Sequence, residues 1–330
     1  MTPLISVVIV NYNGGAFLQE AINALSRQTL KDFELIVFDN ASSDGSADAL
    51  DLTGLAEPRL IRHSDNIGFA AGNNRAAEEA RGKWLALLNP DTVAAPDWLE
   101  KLVAASQAYP DCRNFASAQL DLNNPDLLDG AGDAYLIFGF PWRGGFGRPA
   151  SELPPSGWVF SACGAAAMYD RDLFLSLGGF DERFFCYCED VDLGFRLQLA
   201  GHDCRFVSDA VVRHAGSGIA GRASAFSTYH GTRNRVWTYF KNMSAGVLLL
   251  TIAGHIVLTG YILARNAFTP RFGPMLRGLR DAIGGLPEIT RPSPWKTANR
   301  AISLGNLLAR MAWNPWRMSA RKVHVRKLSA

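Results

Sequence analysis

The sequence predicts an α/β protein: an open, mostly parallel sheet flanked by helices, followed by a helical C-terminal extension. Three observations carry this. Four strand-like runs, Leu4–Val10, Phe33–Phe38, Arg59–His63 and Lys83–Asn89, alternate with turn chemistry and helical spacing over the first ninety residues. The first run is continuously apolar and β-branched, which is the pattern of a strand covered on both faces. From Ser244 onward an uncharged apolar run gives way to a basic tail punctuated by Trp and Pro.

The elements follow in order. "LISVVIV" is the first strand, and it is too short to be the apolar part of a span. "NYNGG" turns the chain into a helix spaced by Phe17, Leu18, Ile22 and Leu25. "FELIVF" is the second strand, closed by Asp39, and "NASSDGS" is turn chemistry in which Ser43 or Asp44 can cap a short helix. "RLIRH" is the third strand. A helix over "NIGFAAGNNRAAEEARG" stops at Gly82, and "KWLALLN" is the fourth strand, closed by "PDT". Repeated strand–helix alternation predicts a sheet with right-handed crossovers. The Gly-, Pro- and aromatic-rich segment from Leu128 reads as a hairpin or loop over a site. Trp158–Asp170 and Cys204–His214 read as two further strands.

In such sheets ligands bind beyond the carboxyl ends of the strands. Connectivity alone therefore puts a site at Asn11–Gly15, Asp39–Ser43 and Asn89–Thr92.

"FFCYCEDVDLGFRLQLAGH" places Glu189, Asp190 and Asp192 against large apolar neighbours. A helix from Asp190 to Gly201 puts Val191, Phe195 and Leu199 on one face and Leu193 and Leu197 on another. Asp192 and Arg196 then form an i,i+4 pair on the remaining polar face. Glu189 and Asp190 fall at the helix start, where the free N–H groups favour a carboxylate. Asp190 reads either as a cap or as a general base at a pocket edge. The five cysteines, Cys186 and Cys188 included, show no metal-ligand or disulfide spacing and read as packing. Arg233 and Arg235 read as a solvated helix face or as contacts to a diphosphate or a lipid phosphate.

Five segments occur together: "VVIVNYNGGAFL", "FDNASSDGS", "NIGFAAGNN", "LLNPDT" and "GGFDERFFCYCEDVDLGFRL". In this order they resemble the family 2 glycosyltransferases, which have the nucleotide-sugar-binding GT-A fold, and most of all the bacterial rhamnosyltransferases. The resemblance covers about residues 4–240. It implies that Asn11, Tyr12 and Asn13 lie along the donor's base and ribose, and that Asp39 binds the base. It implies that Asp91, in Asn89-Pro90-Asp91, holds a divalent cation (Mg2+ or Mn2+) against the donor diphosphate; Asn89 stands where the family's first acid would. Asp190 becomes the base that deprotonates the acceptor, with Glu189 beside it. His214 stands where a related branch has a metal ligand, and is open between that role and a structural one. Asn66 and Gly68 are open between capping and lying close to the nucleotide. The activity the resemblance implies is inverting transfer from a nucleotide diphosphate sugar, taken as dTDP-rhamnose, to a lipid-linked saccharide of a bacterial surface polysaccharide.

A dehydrogenase reading fails on "NGGAFL", which lacks the GxGxxG phosphate turn. A binding protein with a decayed catalytic site is the remaining rival. Residues 1–240 carry 19 basic and 29 acidic side chains, whereas residues 241–330 carry 14 and 2. The expected division is a transferase domain over 1–240 and a membrane-associating tail over 241–330. A basic tail calls for an anionic partner. The uncharged run Ser244–Ala264 and the mix of Arg with Phe and Trp beyond it favour an anionic membrane surface over nucleic acid. The expected location is peripheral, on the cytoplasmic face of the inner membrane.

Overall fold

A computed structural model of the chain describes residues 2–48, 50–216, 224–291 and 301–327. The first half runs β1 (Ile5–Asn11), α1 (Gly15–Ser26), β2 (Phe33–Asn40), β3 (Arg59–His63), α2 (Gly68–Glu79), β4 (Trp84–Leu88), β5 (Thr92–Ala94) and α3 (Trp98–Ala108). The four expected strands form in order, with β1 parallel to both β2 and β4 and β2 parallel to β3. Ile5, Val7 and Ile9 pack toward α1 and α3, while Val8 and Val10 pack toward α2. This two-sided burial is why the run carries no polar alternation. Each fully buried Val, Leu or Ile there contributes about 1.5–3 kcal/mol.

The middle of the chain adds β6 (Asn114–Asp121), β7 (Leu128–Ala131), β8 (Asp133–Leu136), β9 (Phe140–Arg143), β10 (Gly157–Val159), β11 (Ala166–Asp170) and α4 (Arg171–Ser176). Then come α5 (Glu189–Leu199), β12 (Cys204–His214), α6 (Ala225–Asn242), α7 (Ala245–Asn266) and α8 (Phe272–Gly284). The main sheet has the order β10-β12-β6-β11-β4-β1-β2-β3, with β5 on β12 and β7 on β6. The strand expected at Trp158–Asp170 is divided. Residues 160–165 leave the sheet between β10 and β11, which pair with different neighbours. The Gly-rich segment is an ordered hairpin, β8 against β9, not a loose loop.

The C-terminal region packs against this frame. Val247, Thr251 and His255 bury one side of α7. The His255 ring donates to the Phe138 carbonyl at 2.8 Å and stacks on Tyr239 at 4.3 Å. Leu249, Leu250, Ile256 and Val257 remain exposed. Among the described residues α7 is the one helix long and apolar enough to cross a membrane. Residues 301–327 return to the sheet: Ala312 exchanges backbone hydrogen bonds with Tyr135 and Ile137, and Arg326 does so with Trp158. Arg310, expected among the basic side chains of the tail's outer surface, instead pairs with Asp203 at 2.7 Å.

Candidate active site

A cleft of about 680 Å³ opens at the carboxyl ends of β1, β2 and β4. Eight of the residues singled out from sequence line it: Tyr12, Asn66, Gly68, Asn89, Asp91, Glu189, Asp190 and His214. Asn11, Asn13 and Asp39 are not on its wall. They knit the two loops that form its floor. The Asn11 amide donates to Asp39 Oδ1 at 3.1 Å, Ser42 Oγ at 2.9 Å and Ser46 Oγ at 3.0 Å. Asn13 Oδ1 accepts the Ser43 N–H at 2.8 Å. Asp44 caps no helix of its own; it accepts the Gly15 N–H at the start of α1.

Asp91 and His214 meet because β12 pairs with β5 in a register that sets His214 opposite Thr92. His214 Nε2 lies 3.3 Å from Asp91 Oδ1 without a well-formed hydrogen bond to it. On the ring's other side Nδ1 is 2.7 Å from Asp129 Oδ2, and Asp129 is paired with Arg143 at 2.6 Å. Burial opposes charge on Asp129, but Arg143 and His214 outweigh it and hold the carboxyl at about 2. Burial likewise opposes protonation of His214, but Asp129 and Asp91 outweigh it and raise its pKa. A carboxylate that orients Nδ1 leaves Nε2 for a ligand, which is how metal-binding histidines are held. The donor set fits a divalent cation. Among the described residues no group of three such side chains would hold one alone, so further oxygens from a substrate or water would be needed.

α5 begins at Glu189, one residue earlier than the sequence suggested. Asp190 Oδ2 accepts the Gly164 N–H at 2.8 Å, and Oδ1 accepts the Val191 N–H at 2.8 Å. Burial raises the Asp190 pKa despite these two bonds. Glu189 is pushed well up, first by burial and then by the Asp190 charge, and its Oε2 has no hydrogen-bond partner among the described residues.

The approach to this pair is a backbone that most residues avoid. Phe185, Tyr187 and Cys188 all have left-handed φ, at 65°, 71° and 66°. Each such residue costs on the order of 1–3 kcal/mol. Asn234, on α6 and fully buried, compensates. Its amide reaches the carbonyls of Phe184, Cys186 and Tyr187 at 2.9, 2.9 and 2.7 Å. Gly68 makes room from the other side: a Cβ there would stand 2.5 Å from the Phe185 ring, and its own φ is +88°. Asn66 Oδ1 accepts the Gly68 N–H at 3.0 Å and the Asn40 amide at 2.9 Å.

Asp192 and Arg196 do pair, at 2.9 Å, but not on a polar face: both are buried. Lys241 reaches Asp192 at 2.8 Å and Asp181 at 2.6 Å, and Asn242 donates to Asp192 at 2.8 Å. Lys241 of α6, with Arg196 of α5 and Arg183, thus supplies the counter-charges that let these acids sit beside the core. Arg233 and Arg235 are also not on a solvated face. Arg233 lies over the Trp237 ring at 4.2 Å, and Arg235 over the Phe140 ring at 4.0 Å. Burial lowers Arg235 to about 10. Five cysteines are free, as expected.

Sequence reasoning missed Asp129, Asp133, Arg143 and Asn234. For the first two a signal existed, since "LDGAGDAYL" holds two acids in an otherwise apolar, Gly-rich run. Arg143 and Asn234 carried none, because their importance comes from partners remote in sequence.

Strand-end loops over a sheet of this order, with a His–Asp pair and an acid pair at a helix start in one cleft, fit the GT-A fold class. The model of the glycosyl transferase family 2 matches residues 6–178, just over half of the chain, and the chain belongs to that family. It is 27% identical over 298 residues to the N-acetylglucosaminyl-diphospho-decaprenol L-rhamnosyltransferase of Mycobacterium tuberculosis, covering 81% of this chain and 95% of that one. Its fold is similar to a mannosyltransferase from Pyrobaculum calidifontis solved with GDP-Man and Mn2+, with a TM-score of 0.54 and 17% identity over 94% of this chain and 86% of that one. It is also similar to GalNAc-T7 solved with UDP, GalNAc and Mn2+, with a TM-score of 0.55 and 18% identity over 72% of this chain and 50% of that one.

Proposed function

We propose that this glycosyltransferase moves rhamnose, with inversion, from a dTDP-linked donor to a hydroxyl of a lipid-linked saccharide during assembly of a bacterial surface polysaccharide. The similarity to a rhamnosyltransferase acting on a diphospho-decaprenol substrate supports the sugar and the acceptor class. The single observation that carries the chemistry is one cleft shared by the Asp91–His214 pair and Asp190.

Asp190 takes the proton of the acceptor hydroxyl as its oxygen attacks the anomeric carbon. The bond from that carbon to the donor phosphate breaks in the same displacement, so no covalent intermediate with the enzyme forms. The Gly164 and Val191 N–H groups fix the Asp190 carboxylate, and its raised pKa makes it a stronger base than an exposed aspartate. Glu189 positions the acceptor. Tyr12 and Asn89 lie along the donor, over the floor held by Asn11, Asn13 and Asp39, and Asn66 and Gly68 shape the turn beside it. A divalent cation (Mg2+ or Mn2+) bound by Asp91, His214 and the donor phosphates would neutralise charge on the departing nucleoside diphosphate.

In this reading residues 1–240 carry the transfer and residues 241–330 attach the enzyme to the cytoplasmic face of the inner membrane. The exposed apolar face of α7, together with exposed Phe268, Trp313 and Trp316, supports peripheral binding. Nearby Arg265, Arg271, Arg277 and Arg317 suit anionic headgroups. Thermal shift with a panel of nucleotide sugars, with and without Mg2+ or Mn2+, tests the donor. Metal-dependent stabilisation by a dTDP-sugar alone is expected, and a response to none of them would refute the reading.

A further inference from the structure

The β8–β9 hairpin brings a fourth carboxyl into the cleft, beside Asp91, Glu189 and Asp190. Asp133 stands opposite Arg143 in the hairpin register, and both line the cleft with Asp190. Asp133 is only 6% exposed. Its backbone is committed, the N–H to the Ser161 carbonyl at 2.9 Å and the carbonyl to the Phe160 N–H at 3.0 Å. Its carboxyl makes no hydrogen bond or ion pair with any described residue. Its neighbours Asp129 and Arg143 are bonded to each other, and Arg143 acts on Asp133 through its charge alone.

A carboxyl at the cleft wall with no protein hydrogen bond is left to bond whatever enters the cleft, and a ligand that supplies a partner offsets its partial desolvation. Burial first, and then the charge of Asp190, push the Asp133 pKa well up from the ordinary aspartate value. A carboxyl held neutral can both donate and accept. Pro141, two residues before Arg143 on the facing strand, adds an apolar ring to the cleft wall. An apolar ring beside a group that both donates and accepts matches a sugar, which has a C–H face and a hydroxyl or amide edge.

We propose that Asp133 is a positioning residue for the acceptor sugar, hydrogen-bonding the substituent beside the hydroxyl that Asp190 deprotonates. This rests on the glycosyl-transfer reading above. It differs from the role of Asp190 because Asp133 exchanges no proton with the reacting oxygen. An amide can therefore replace it, whereas a methyl group cannot.

The test uses the full chain, dTDP-rhamnose and a short-chain N-acetylglucosaminyl-diphospho-alkyl acceptor. Acceptor binding is titrated calorimetrically, and KM and kcat are measured for both substrates. Asp133→Ala should weaken acceptor binding and raise acceptor KM about tenfold or more, with donor KM within about twofold of wild type. Asp133→Asn should stay within about threefold of wild type on both acceptor measures. Should the alanine variant not fold, Asp133→Ser, which loses the reach, carries the same expectation. Unchanged acceptor binding in a folded alanine or serine variant would overturn the proposal. So would an asparagine variant whose kcat collapses at unchanged acceptor KM, since that would make Asp133 part of the proton transfer. A wild-type protein that transfers sugar from no nucleotide donor refutes the glycosyl-transfer reading, while the acceptor titration still decides Asp133.

Discussion

His214 Nε2 faces Asp91 Oδ1 at 3.3 Å, with Asp129 fixing the far side of the imidazole at 2.7 Å. A side chain from the β4–β5 turn and one from the end of β12 thus present an oxygen and a nitrogen to one point of the cleft. If that point holds the cation, His214→Ala should weaken Mn2+-dependent donor binding, and Asp91→Ala should abolish it. Asp129→Asn, which keeps both proposed ligands but removes the charge that holds the ring and Arg143, should cost on the order of 10–100-fold in metal affinity. Metal titrations of donor binding read all three. Full activity after exhaustive chelation would contradict the assignment.

The loop before Glu189 depends on Asn234. Asn234→Ala removes the amide that bonds the carbonyls of Phe184, Cys186 and Tyr187, while Arg233 still reaches Phe184 at 3.1 Å; each hydrogen bond lost costs roughly 1–3 kcal/mol. A lower Tm is expected. In the protein that remains folded, kcat should fall on the order of ten- to a hundredfold through misplacement of Asp190. Wild-type kcat in the folded variant would show that the loop holds its shape by other means.

Acid should unfold this protein partly through the Lys241 network. Burial works against charge on both Asp181 and Asp192. At Asp181 the nearby Arg183 and Lys241 outweigh it, and at Asp192 Lys241 and Arg196 do, so both pKa values lie below the ordinary aspartate value. Burial pulls Lys241 down in turn, but a lysine stays charged at acid pH, so the carboxylates set the response. Their folded pKa values are depressed. The stability they contribute is therefore present above about pH 4 and is lost as pH falls through the folded values. Tm should drop steeply on acidification. In Asp192→Asn it should begin lower, by about 3–5 kcal/mol of lost stability, and change less with pH. Identical slopes would contradict the network's role.

Membrane attachment through one face of α7 predicts release rather than retention. Leu249 and Leu250 are 80% and 84% exposed, while His255 faces inward onto the β8–β9 hairpin. Leu249→Glu with Leu250→Glu should abolish sedimentation with anionic vesicles and leave the fold intact. Alkaline carbonate or high salt should release the wild type. Retention after both washes would make α7 a transmembrane helix.

The nucleotide half of the fold was legible because its signals are local. Apolar runs such as Leu4–Val10, the turn at Asn11–Gly15 and the acids that end the strands each announce themselves within a few residues. Asp190 was legible for the same reason, as part of a helix start. The acceptor half was not. The hairpin owes its order to Ala312, about 170 residues away, and strands shorter than five residues show little period. The burial of Asp192 and Arg196 depends on Lys241, whose single positive charge in the sequence says nothing of where it will sit. Polar spacing on a helix reads as a solvent face unless the partner helix is known.

The central claim is that Asp190 is the base of a glycosyl transfer in this cleft, and its amide variant tests that most directly. Asp190→Asn keeps the size and can still accept the Gly164 N–H, but it cannot take a proton at working pH. Its pKa in the wild type is raised, chiefly by burial, so kcat/KM of the wild type should fall as pH drops through a value above that of an ordinary aspartate. With dTDP-rhamnose and a lipid-linked acceptor, the folded Asp190→Asn protein should bind donor normally and transfer sugar at least about a hundredfold more slowly. Near-normal transfer by the folded variant, with the acid limb of the profile unchanged, would contradict the account.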